Sequence, residues 1–269
     1  MKKINNLLSI GVCLLFLGCS TDEKQIVITK KTLVMSEEFD VAGAPNPNLW
    51  SYDIGVGPDP SNPWGNNELQ YYTDRPQNII VENGNLKITA RRELYLGSSF
   101  TSARIITKGK LEQKYGRIEA RIKLPLGQGL WPAFWMLGAN SDTVIWPACG
   151  EIDIMEYLGN SPTKIFGTVH GPGYSGGESI SKNFFLSNSR FDTHFHVFGI
   201  EWDENKINFY VDDFLYHSVT PSDVPGDWVF NQPFYLILNI AVGGNLPGSP
   251  NAETPFPQSM LVDYIRIYE

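Results

Sequence analysis

From residue 33 onwards, the sequence is a succession of short stretches in which apolar and polar residues alternate, separated by turns rich in Gly, Pro, Asn and Asp. Such stretches include residues 85–90, 116–124, 206–210, 214–219 and 261–268. No stretch longer than about ten residues keeps a helical period. The pattern predicts an all-β fold of two packed antiparallel sheets, because a lone sheet would leave one apolar face in water.

The composition is consistent with one secreted-type domain that binds a neutral ligand. The 269 residues suit a single β-sandwich domain. A hydrophobic content of 42% supplies a core, and an aromatic content of 13% leaves rings for a binding surface. The net charge of -8 argues against nucleic acid or an anionic membrane surface as a partner. A monomer is the default expectation.

The N-terminus has the pattern of an export signal. Lys2 and Lys3 precede the apolar run 7–17, which is too short to span a membrane. Residues 15–19 resemble a bacterial lipoprotein box, which implies a lipidated Cys19 and an outer-membrane or cell-surface location. Ordinary secretion or a periplasmic location is the alternative. Residues 20–32 are then a polar tether, and residues 33–269 are the folded domain.

Two of the three cysteines, Cys13 and Cys19, lie in the predicted signal region. Cys149 therefore has no partner for a disulfide in the mature chain. It directly precedes an acidic stretch, so a role as nucleophile is conceivable. A small buried packing residue is the favoured interpretation, because free cysteine is among the most buried residue types.

The acidic stretch is residues 150–157, in which Glu151 and Asp153 alternate with isoleucines and so point to one face of a strand. Continued alternation would bury Glu156 on the apolar face, at a cost of roughly 2 to 7 kcal/mol even for a neutral polar group. A β-bulge at residues 154–155 would return Glu156 to the acidic face, and bulges are common beside active sites. Two glutamates on one face match the nucleophile and general acid of glycosidic bond cleavage.

The spacing of these acids sets a condition on the strand. In a flat strand the Cα atoms of the two glutamates would lie roughly 13 Å apart, at about 3.3 Å per residue. Retaining hydrolysis requires carboxyl groups about 5 to 5.5 Å apart, so the strand is expected to curve. Acids at similar spacings also occur on solvated strands, and the motif alone leaves that alternative open.

Several blocks around this stretch occur in a familiar order. They are residues 37–40, 67–72, 108–121, 131–136, 146–147, 151–156, 167–171 and 234–244. Together they resemble glycoside hydrolase family 16, and within it the laminarinases, which are endo-β-1,3-glucanases. The resemblance runs from about residue 33 to the end and implies a β-jelly-roll sandwich whose concave sheet holds a glucan cleft. The five-residue spacing of the glutamates resembles laminarinases, whereas lichenases carry a four-residue spacing without the bulge.

The resemblance implies an endo-acting, retaining hydrolase of β-1,3-glucan that needs no catalytic cofactor. Glu151 corresponds to the nucleophile and Glu156 to the acid/base, and Asp153 between them is expected to orient Glu151. A passive acid lining the cleft is the alternative for Asp153. Mixed-linkage β-1,3-1,4-glucan is an alternative substrate, and a non-catalytic carbohydrate-binding jelly roll is an alternative function.

The resemblance also implies sugar-binding residues. Trp131 and Trp135 correspond to glucose platforms on the nonreducing side of the scissile bond, although core tryptophans would be the ordinary interpretation in a β-sandwich. Trp146 is expected at the wall of the cleft. Asn66 or its neighbour Asn67, Arg104 and His170 are candidates for hydroxyl contacts, with structural hydrogen bonds as the alternative for each.

A structural calcium ion is implied by the resemblance alone. Its ligands would be backbone oxygens near the first strand and the Asn-Gly turn, together with one aspartate of the last strand. These positions correspond to Glu38, Gly84 and Asp263, and hard oxygen ligands suit calcium. The alternative for Asp263 is an ordinary exposed residue.

Overall fold

The computed structural model describes residues 32–269. The predicted signal region and all but the last residue of the predicted tether lie outside the described residues. The described chain contains two 3₁₀ turns, Pro63–Gly65 and Gly176–Glu178, and no α-helix. Its strands are β1 (Leu33–Glu37), β2 (Ser51–Asp53), β3 (Gln70–Tyr72), β4 (Ile79–Glu82), β5 (Asn85–Tyr95), β6 (Ser98–Ser102), β7 (Arg104–Ile106), β8 (Glu112–Gln113), β9 (Gly116–Lys123), β10 (Leu130–Gly138), β11 (Glu151–Tyr157), β12 (Lys164–His170), β13 (Ile180–Phe185), β14 (His196–Asp203), β15 (Lys206–Val211), β16 (Phe214–Val219), β17 (Phe234–Val242) and β18 (Gln258–Tyr268).

The strands form two sheets, as the alternation predicted. The ten-stranded sheet runs β16-β15-β14-β9-β18-β5-β6-β3, with β1 paired to β18 and β4 paired to β5. The eight-stranded sheet runs β13-β12-β11-β10-β17-β7-β2, with β8 paired to β17. These strand pairs are antiparallel except β3 with β6, which is parallel. The eight-stranded sheet carries the acidic strand β11 near its centre.

One hydrophobic core lies between the sheets. The apolar residues of the alternating strands meet there, including Ile118, Ile200 and Phe209 from the ten-stranded sheet and Phe134 and Ile152 from the eight-stranded sheet. Burial of such side chains contributes roughly 1.5–3 kcal/mol each before chain entropy is counted.

Within residues 32–269, no helix is long and apolar enough to cross a membrane.

Two of the four outward-facing charged residues of β9 are buried, although the alternating pattern of the strand suggests a solvated face. Arg117 and Glu119 point away from the core, yet their exposed fractions are only 4% and 0%. Arg117 Nε donates to Glu119 Oε2 over 2.7 Å, and the ring of Tyr210 lies under the guanidinium at 5.4 Å. Charges on the outer face of a sheet are therefore not all solvated, because aromatic neighbours cover this pair.

Candidate active site

The acidic strand β11 contains the predicted bulge. Along β12, Thr168 lies opposite Asp153 and Phe166 lies opposite Glu156, so three steps on β11 match two on its partner. The same offset occurs towards β10, where Phe134 pairs with Met155 and Met136 pairs with Ile152. One extra residue has been inserted at positions 154–155, as predicted. Consequently Ile152, Ile154 and Met155 all pack in the core, and Glu156 returns to the face of Glu151 and Asp153.

The side chains of Asp153 and Glu156 are buried and that of Glu151 is half-buried, and a negative charge on Asp153 disfavours ionisation of both glutamates. Asp153 is 3% exposed and Glu156 is 8% exposed. Burial, together with the negative charge of Asp153, raises the pKa of Glu151 to about 8. Burial raises the pKa of Asp153 to about 7, and a hydrogen bond shared with Glu151 lowers it. Burial and the charges of Asp153 and Glu151 hold the pKa of Glu156 well above its ordinary value. Burial and the neighbouring negative charges therefore both favour a protonated Glu156.

Two indole N–H groups act directly on the glutamates. Trp146 Nε1 donates to Glu151 Oε2 over 2.6 Å, and Trp131 Nε1 donates to Glu156 Oε1 over 3.0 Å. Thr168 Oγ1 also donates to Glu156 Oε2 over 3.3 Å. Each donor favours the ionised form of its carboxylate and so opposes the effect of burial on the pKa.

His170 completes the cluster from β12, directly opposite Glu151. Its Nε2 lies 3.2 Å from Asp153 Oδ2, and its Nδ1 accepts a hydrogen bond from the backbone N–H of Gly176 over 3.1 Å. Because Nδ1 is an acceptor, the ring proton of the neutral imidazole is on Nε2. Nε2 therefore lies close to Asp153 Oδ2, although that oxygen has no hydrogen-bond partner within the described residues.

Three residues of this cluster are of types that can also bind a metal ion. Glu151, Asp153 and His170 each place one ligand atom within 4.8 Å of the others. A metal-bound histidine almost always donates a hydrogen bond from its other ring nitrogen. Here the nitrogen away from the cluster accepts one from Gly176. The arrangement therefore fits a hydrogen-bonded set of acids better than a metal centre.

The two predicted platform tryptophans lie on this face and not in the core. Trp131 and Trp135 belong to β10 and, with Ala133 between them, alternate onto the same side of the strand. Ala133 pairs with Glu156 on one side and with Asn239 of β17 on the other. The short side chain of Ala133 leaves room between the two indoles, beside the acid at Glu156.

Arg104 lies further along the same cross-strand row, opposite both Asn239 of β17 and Asp53 of β2. Its Nε is 2.8 Å from Asp53 Oδ2. The guanidinium is stacked between two indoles, at 4.7 Å from the Trp64 ring centroid and 4.8 Å from that of Trp135. The arginine therefore connects Trp135 with the outermost strand of the sheet.

The comparisons with known proteins agree with this geometry. The profile described as "Glycosyl hydrolases family 16" matches residues 66–266. This chain belongs to glycosyl hydrolase family 16. It is similar to the "Beta-glucanase" of Rhodothermus marinus, with 41% identity over 100% of this chain and 94% of that protein. It is also similar to the "Glucan endo-1,3-beta-glucosidase A1" of Niallia circulans, with 37% identity over 94% of this chain and 39% of that longer protein.

A solved structure extends the comparison with family 16 to the fold. The catalytic domain of an endo-1,3-beta-glucanase (laminarinase) from Thermotoga petrophila RKU-1 superimposes with a TM-score of 0.85. The two chains are 50% identical, and the match covers 90% of this chain and 99% of that one. The resemblance carried by the sequence blocks is confirmed, and with it the predicted jelly-roll sandwich.

Most candidate residues of this family 16 chain converge on the face that carries the acids. Those that lie there, each held by its own hydrogen bond, ion pair or ring contact, are Trp131, Trp135, Trp146, Arg104 and His170. Asn66 precedes β3, where its backbone oxygen accepts from the N–H of Asn245 over 2.8 Å and its side chain forms a hydrogen bond with Glu68. Cys149 is fully buried, and burial raises the pKa of its thiol to about 11, as expected for a packing residue.

Sequence reasoning missed five residues that support this face. They are Asp53, Trp64, Glu68, Tyr72 and Asn239. Glu68 and Tyr72 stand in the block 67–72 and Asn239 stands in the block 234–244, so the family signal marked both segments without singling out these side chains. Asp53 and Trp64 carry no such signal, because only the pairing of β2 with β7 and the stacking on Arg104 bring them to the site.

Proposed function

We propose that this protein is an endo-acting, retaining glycoside hydrolase that cleaves β-1,3-glucan of the laminarin type by double displacement. The observation that carries the proposal is the bulge in β11, which brings Glu156 to the face of Glu151 beside the indoles of Trp131 and Trp146. The names of the related glucanases support the linkage. The eight-stranded sheet supplies a row of aromatic and polar side chains on which a sugar chain can lie.

The mechanism uses the two glutamates in turn. The ionised Glu151 attacks the anomeric carbon while protonated Glu156 gives its proton to the leaving glycosidic oxygen, which forms a glycosyl-enzyme. Glu156, now ionised, takes a proton from water, and that water displaces Glu151. The N–H of Trp131 stabilises Glu156 while it is charged, and the N–H of Trp146 stabilises Glu151 before attack and after release. These steps require carboxyl groups and water and no cofactor.

Asp153 has a supporting role in this proposal. It shares a hydrogen bond with Glu151 and lies 3.2 Å from His170 Nε2. Its negative charge raises the pKa of Glu156, which keeps the acid protonated for the first step. A binding module of the same fold would need the tryptophans but not this set of interacting carboxyl groups, so the enzyme is favoured over a lectin-like function.

The test is product analysis on four polysaccharides: laminarin, curdlan, lichenan and agarose. We expect purified full-length protein to release short oligosaccharides of mixed length from laminarin and curdlan, with β-anomers formed first. Faster release from lichenan would establish the mixed-linkage alternative. Tight binding of laminarin with no reducing sugar released would overturn the proposal in favour of a binding protein.

The indole contacts predict a change in the pH profile. Trp146→Phe removes a donor that lowers the pKa of Glu151, so that pKa rises and the acid limb of kcat/KM moves up by roughly 0.5–1 pH unit. Trp131→Phe removes a donor that lowers the pKa of Glu156, so the alkaline limb moves up instead. Trp135→Phe is the matched control, because its N–H donates to Asn239, and neither limb should move. Parallel shifts in all three variants would contradict the assignment.

We further propose that Cys19 is lipidated and anchors the protein at the outer membrane or cell surface. The support is the lipoprotein-box pattern at residues 15–19 and the apolar run before it. Labelled palmitate should appear in the wild-type protein in a bacterial host and not in Cys19→Ala, with Cys149→Ala as the matched control. Equal labelling of wild type and Cys19→Ala would exclude the anchor.

We also propose a structural calcium site beside the middle of β18 in the ten-stranded sheet. Glu38 follows β1, Gly84 lies in the turn between β4 and β5, and Asp263 stands at an irregularity of β18. Since β1 pairs with the second half of β18 and β5 pairs with the first half, register brings the three positions to the same part of the sheet. The turn residue Gly84 has a φ of +71°, which suits glycine. The carboxylate of Asp263 accepts a hydrogen bond from Arg121, and an ion must compete with that contact.

If calcium binds there, EDTA should lower the melting temperature by several degrees. Saturating ligand at about 100 times its Kd stabilises by about 2.7 kcal/mol, and 1 kcal/mol shifts Tm by about 2–4 °C in a domain of this size. Asp263→Asn should lose the response to EDTA, whereas Asp142→Asn on an exposed loop should keep it. An unchanged Tm in wild type would argue against the site.

A further inference from the structure

A buried carboxyl group that the mechanism does not use lies behind the sugar-binding face. Glu68 is 7% exposed and precedes β3. Its Oε2 accepts from Gln70 Nε2 over 2.6 Å and from the hydroxyl of Tyr72 over 3.3 Å. Gln70 and Tyr72 are fully buried, and Asn239 is 6% exposed. We refer to Glu68, Gln70, Tyr72 and Asn239 as the Glu68 network.

The direction of every hydrogen bond in one branch of the Glu68 network is determined. The indole of Trp135 can only donate, and its Nε1 donates to Asn239 Oδ1 over 2.7 Å. The amide nitrogen of Asn239 therefore faces Tyr72 and donates to its hydroxyl oxygen over 3.1 Å. The Tyr72 hydroxyl is left to donate to Glu68. Glu68 is thus the final acceptor of a chain that begins at the platform indole.

The second branch of the Glu68 network begins at a backbone N–H group and also ends at Glu68 as an acceptor. The N–H of Val242, at the end of β17, donates to Gln70 Oε1 over 2.7 Å. The amide nitrogen of Gln70 must then face Glu68. Because both branches start from obligate donors, Glu68 is an acceptor in each, which is the role of an ionised carboxylate.

Arg104, another candidate for contacts with sugar hydroxyls, influences the ionisation of Glu68. The positive charge of Arg104 lowers the pKa of Glu68, while burial raises it to about 7. Arg104 comes from β7, where Asp53 of β2 pairs with it, and Tyr72 is the titratable neighbour on β3. The Arg104 guanidinium lies between the Trp64 and Trp135 rings. Hydrogen bonds therefore link Glu68 to Trp135, and Arg104 stacks on the same indole.

We propose that Glu68 is a positioning residue for glucan binding, which holds the Trp135 indole through Tyr72 and Asn239, and that the Arg104 guanidinium stacked on the same indole is positioned with it. The inference rests on the proposed function, because it assigns Trp135 and Arg104 to the binding of sugar. Within residues 32–269, neither Glu68 nor Tyr72 forms a hydrogen bond with the reacting carboxyl groups. Their loss should therefore weaken binding far more than it slows the chemical steps.

Two substitutions in the full-length chain separate the effect of the Glu68 charge from the effect of the hydrogen bond through Tyr72. Glu68→Gln keeps an acceptor oxygen for Gln70 and Tyr72 but removes the charge, and Tyr72→Phe keeps the charge but cuts the chain to Asn239. We expect each to raise KM for laminari-oligosaccharides about tenfold, as loss of one charge-assisted contact does, while kcat changes by less than about threefold. In the Trp135→Ala background, Tyr72→Phe should have little further effect on KM, because the indole that it positions is gone.

The pH dependence of KM distinguishes an effect of the Glu68 charge from an effect of side-chain packing. At low pH, Glu68 of the wild type is protonated and resembles Gln, so the KM ratio of Glu68→Gln to wild type should be near one. The ratio should grow as pH rises through about 7, where the pKa of Glu68 lies. The KM ratio of Tyr72→Phe to wild type should exceed one throughout. A ratio of one for both variants at pH 8 would overturn the inference.

The chain offers a matched control on the opposite sheet. Tyr210 donates to Glu201 Oε2 over 2.8 Å and accepts from Asn208 over 3.4 Å, which repeats the Asn-Tyr-Glu chemistry on β14 and β15. Glu201→Gln and Tyr210→Phe should leave KM unchanged. Failure of the wild type to cleave any glucan would refute the proposed function, whereas an active wild type with normal KM in both network variants would refute this inference alone. If Glu68→Gln does not fold, Tyr72→Phe decides, since it removes a single hydroxyl.

Discussion

Glu151→Ala should hydrolyse laminarin roughly 10⁴-fold more slowly than wild type, because the variant lacks the carboxylate that forms the glycosyl-enzyme. The fold should survive the change. Burial and Asp153 raise the pKa of Glu151 to about 8, which means that its charged form is less stable in the folded protein than in the unfolded chain. Above that pH, removal of the carboxyl group relieves an unfavourable charge, so Tm measured at pH 8.5 should not fall.

Azide provides the stereochemical control for this variant. Added azide can enter the space left by the Glu151 side chain and attack an activated aryl β-glycoside from the same face. The product should be the α-glycosyl azide, identified by its anomeric coupling constant in NMR. Glu112→Ala, which removes an exposed glutamate on the same sheet, should retain full activity. Substantial hydrolysis of laminarin by Glu151→Ala without azide would contradict its assignment as nucleophile.

Glu156→Ala should lower kcat on laminarin by about 10²–10⁴-fold, the usual contribution of a general acid/base. Aryl glycosides with a good leaving group need little protonation, so their first step should be nearly normal and the glycosyl-enzyme should accumulate. Azide then attacks that intermediate from the opposite face, and the product should be the β-glycosyl azide. Pre-steady-state measurement of phenol release should show a burst.

Because the two variants should give opposite anomers of the glycosyl azide, the products decide which glutamate is the nucleophile and which is the acid/base. If Glu156→Ala yields the α-azide and Glu151→Ala yields the β-azide, the two roles are reversed. If neither variant responds to azide and both remain active, the acids on β11 do not carry the reaction. Asp153→Asn tests the effect of the third acid. Loss of its negative charge should lower the pKa of Glu156, so the alkaline limb of the pH profile should move to lower pH.

Much of the site could be predicted because its central residues lie within one strand. A strand has a side-chain period of two, so Glu156 is out of phase with Glu151 and Asp153 unless one residue is inserted. The structure contains that insertion between Asp153 and Glu156. The all-β class and two-sheet packing could be predicted for the same reason, since alternation is a local property of the sequence.

The supporting residues could not be predicted because their partners are distant along the chain. Tyr72 and Asn239 are 167 positions apart and meet only through the packing around β17. Trp131 and Trp135 could have belonged to the core, and their placement depends on which face of β10 turns away from it. The buried state of Arg117 likewise depends on Tyr210 from another strand.

The β class, the family and the three acids with their bulge follow from the order of the amino acids, because periodicity and motif order are properties of consecutive residues. The donors that face those acids and the connection of Glu68 to Trp135 depend on contacts between strands. Hydrogen bonds form between side chains that strand register brings within about 3 Å, and register is a property of the folded sheet rather than of any single segment.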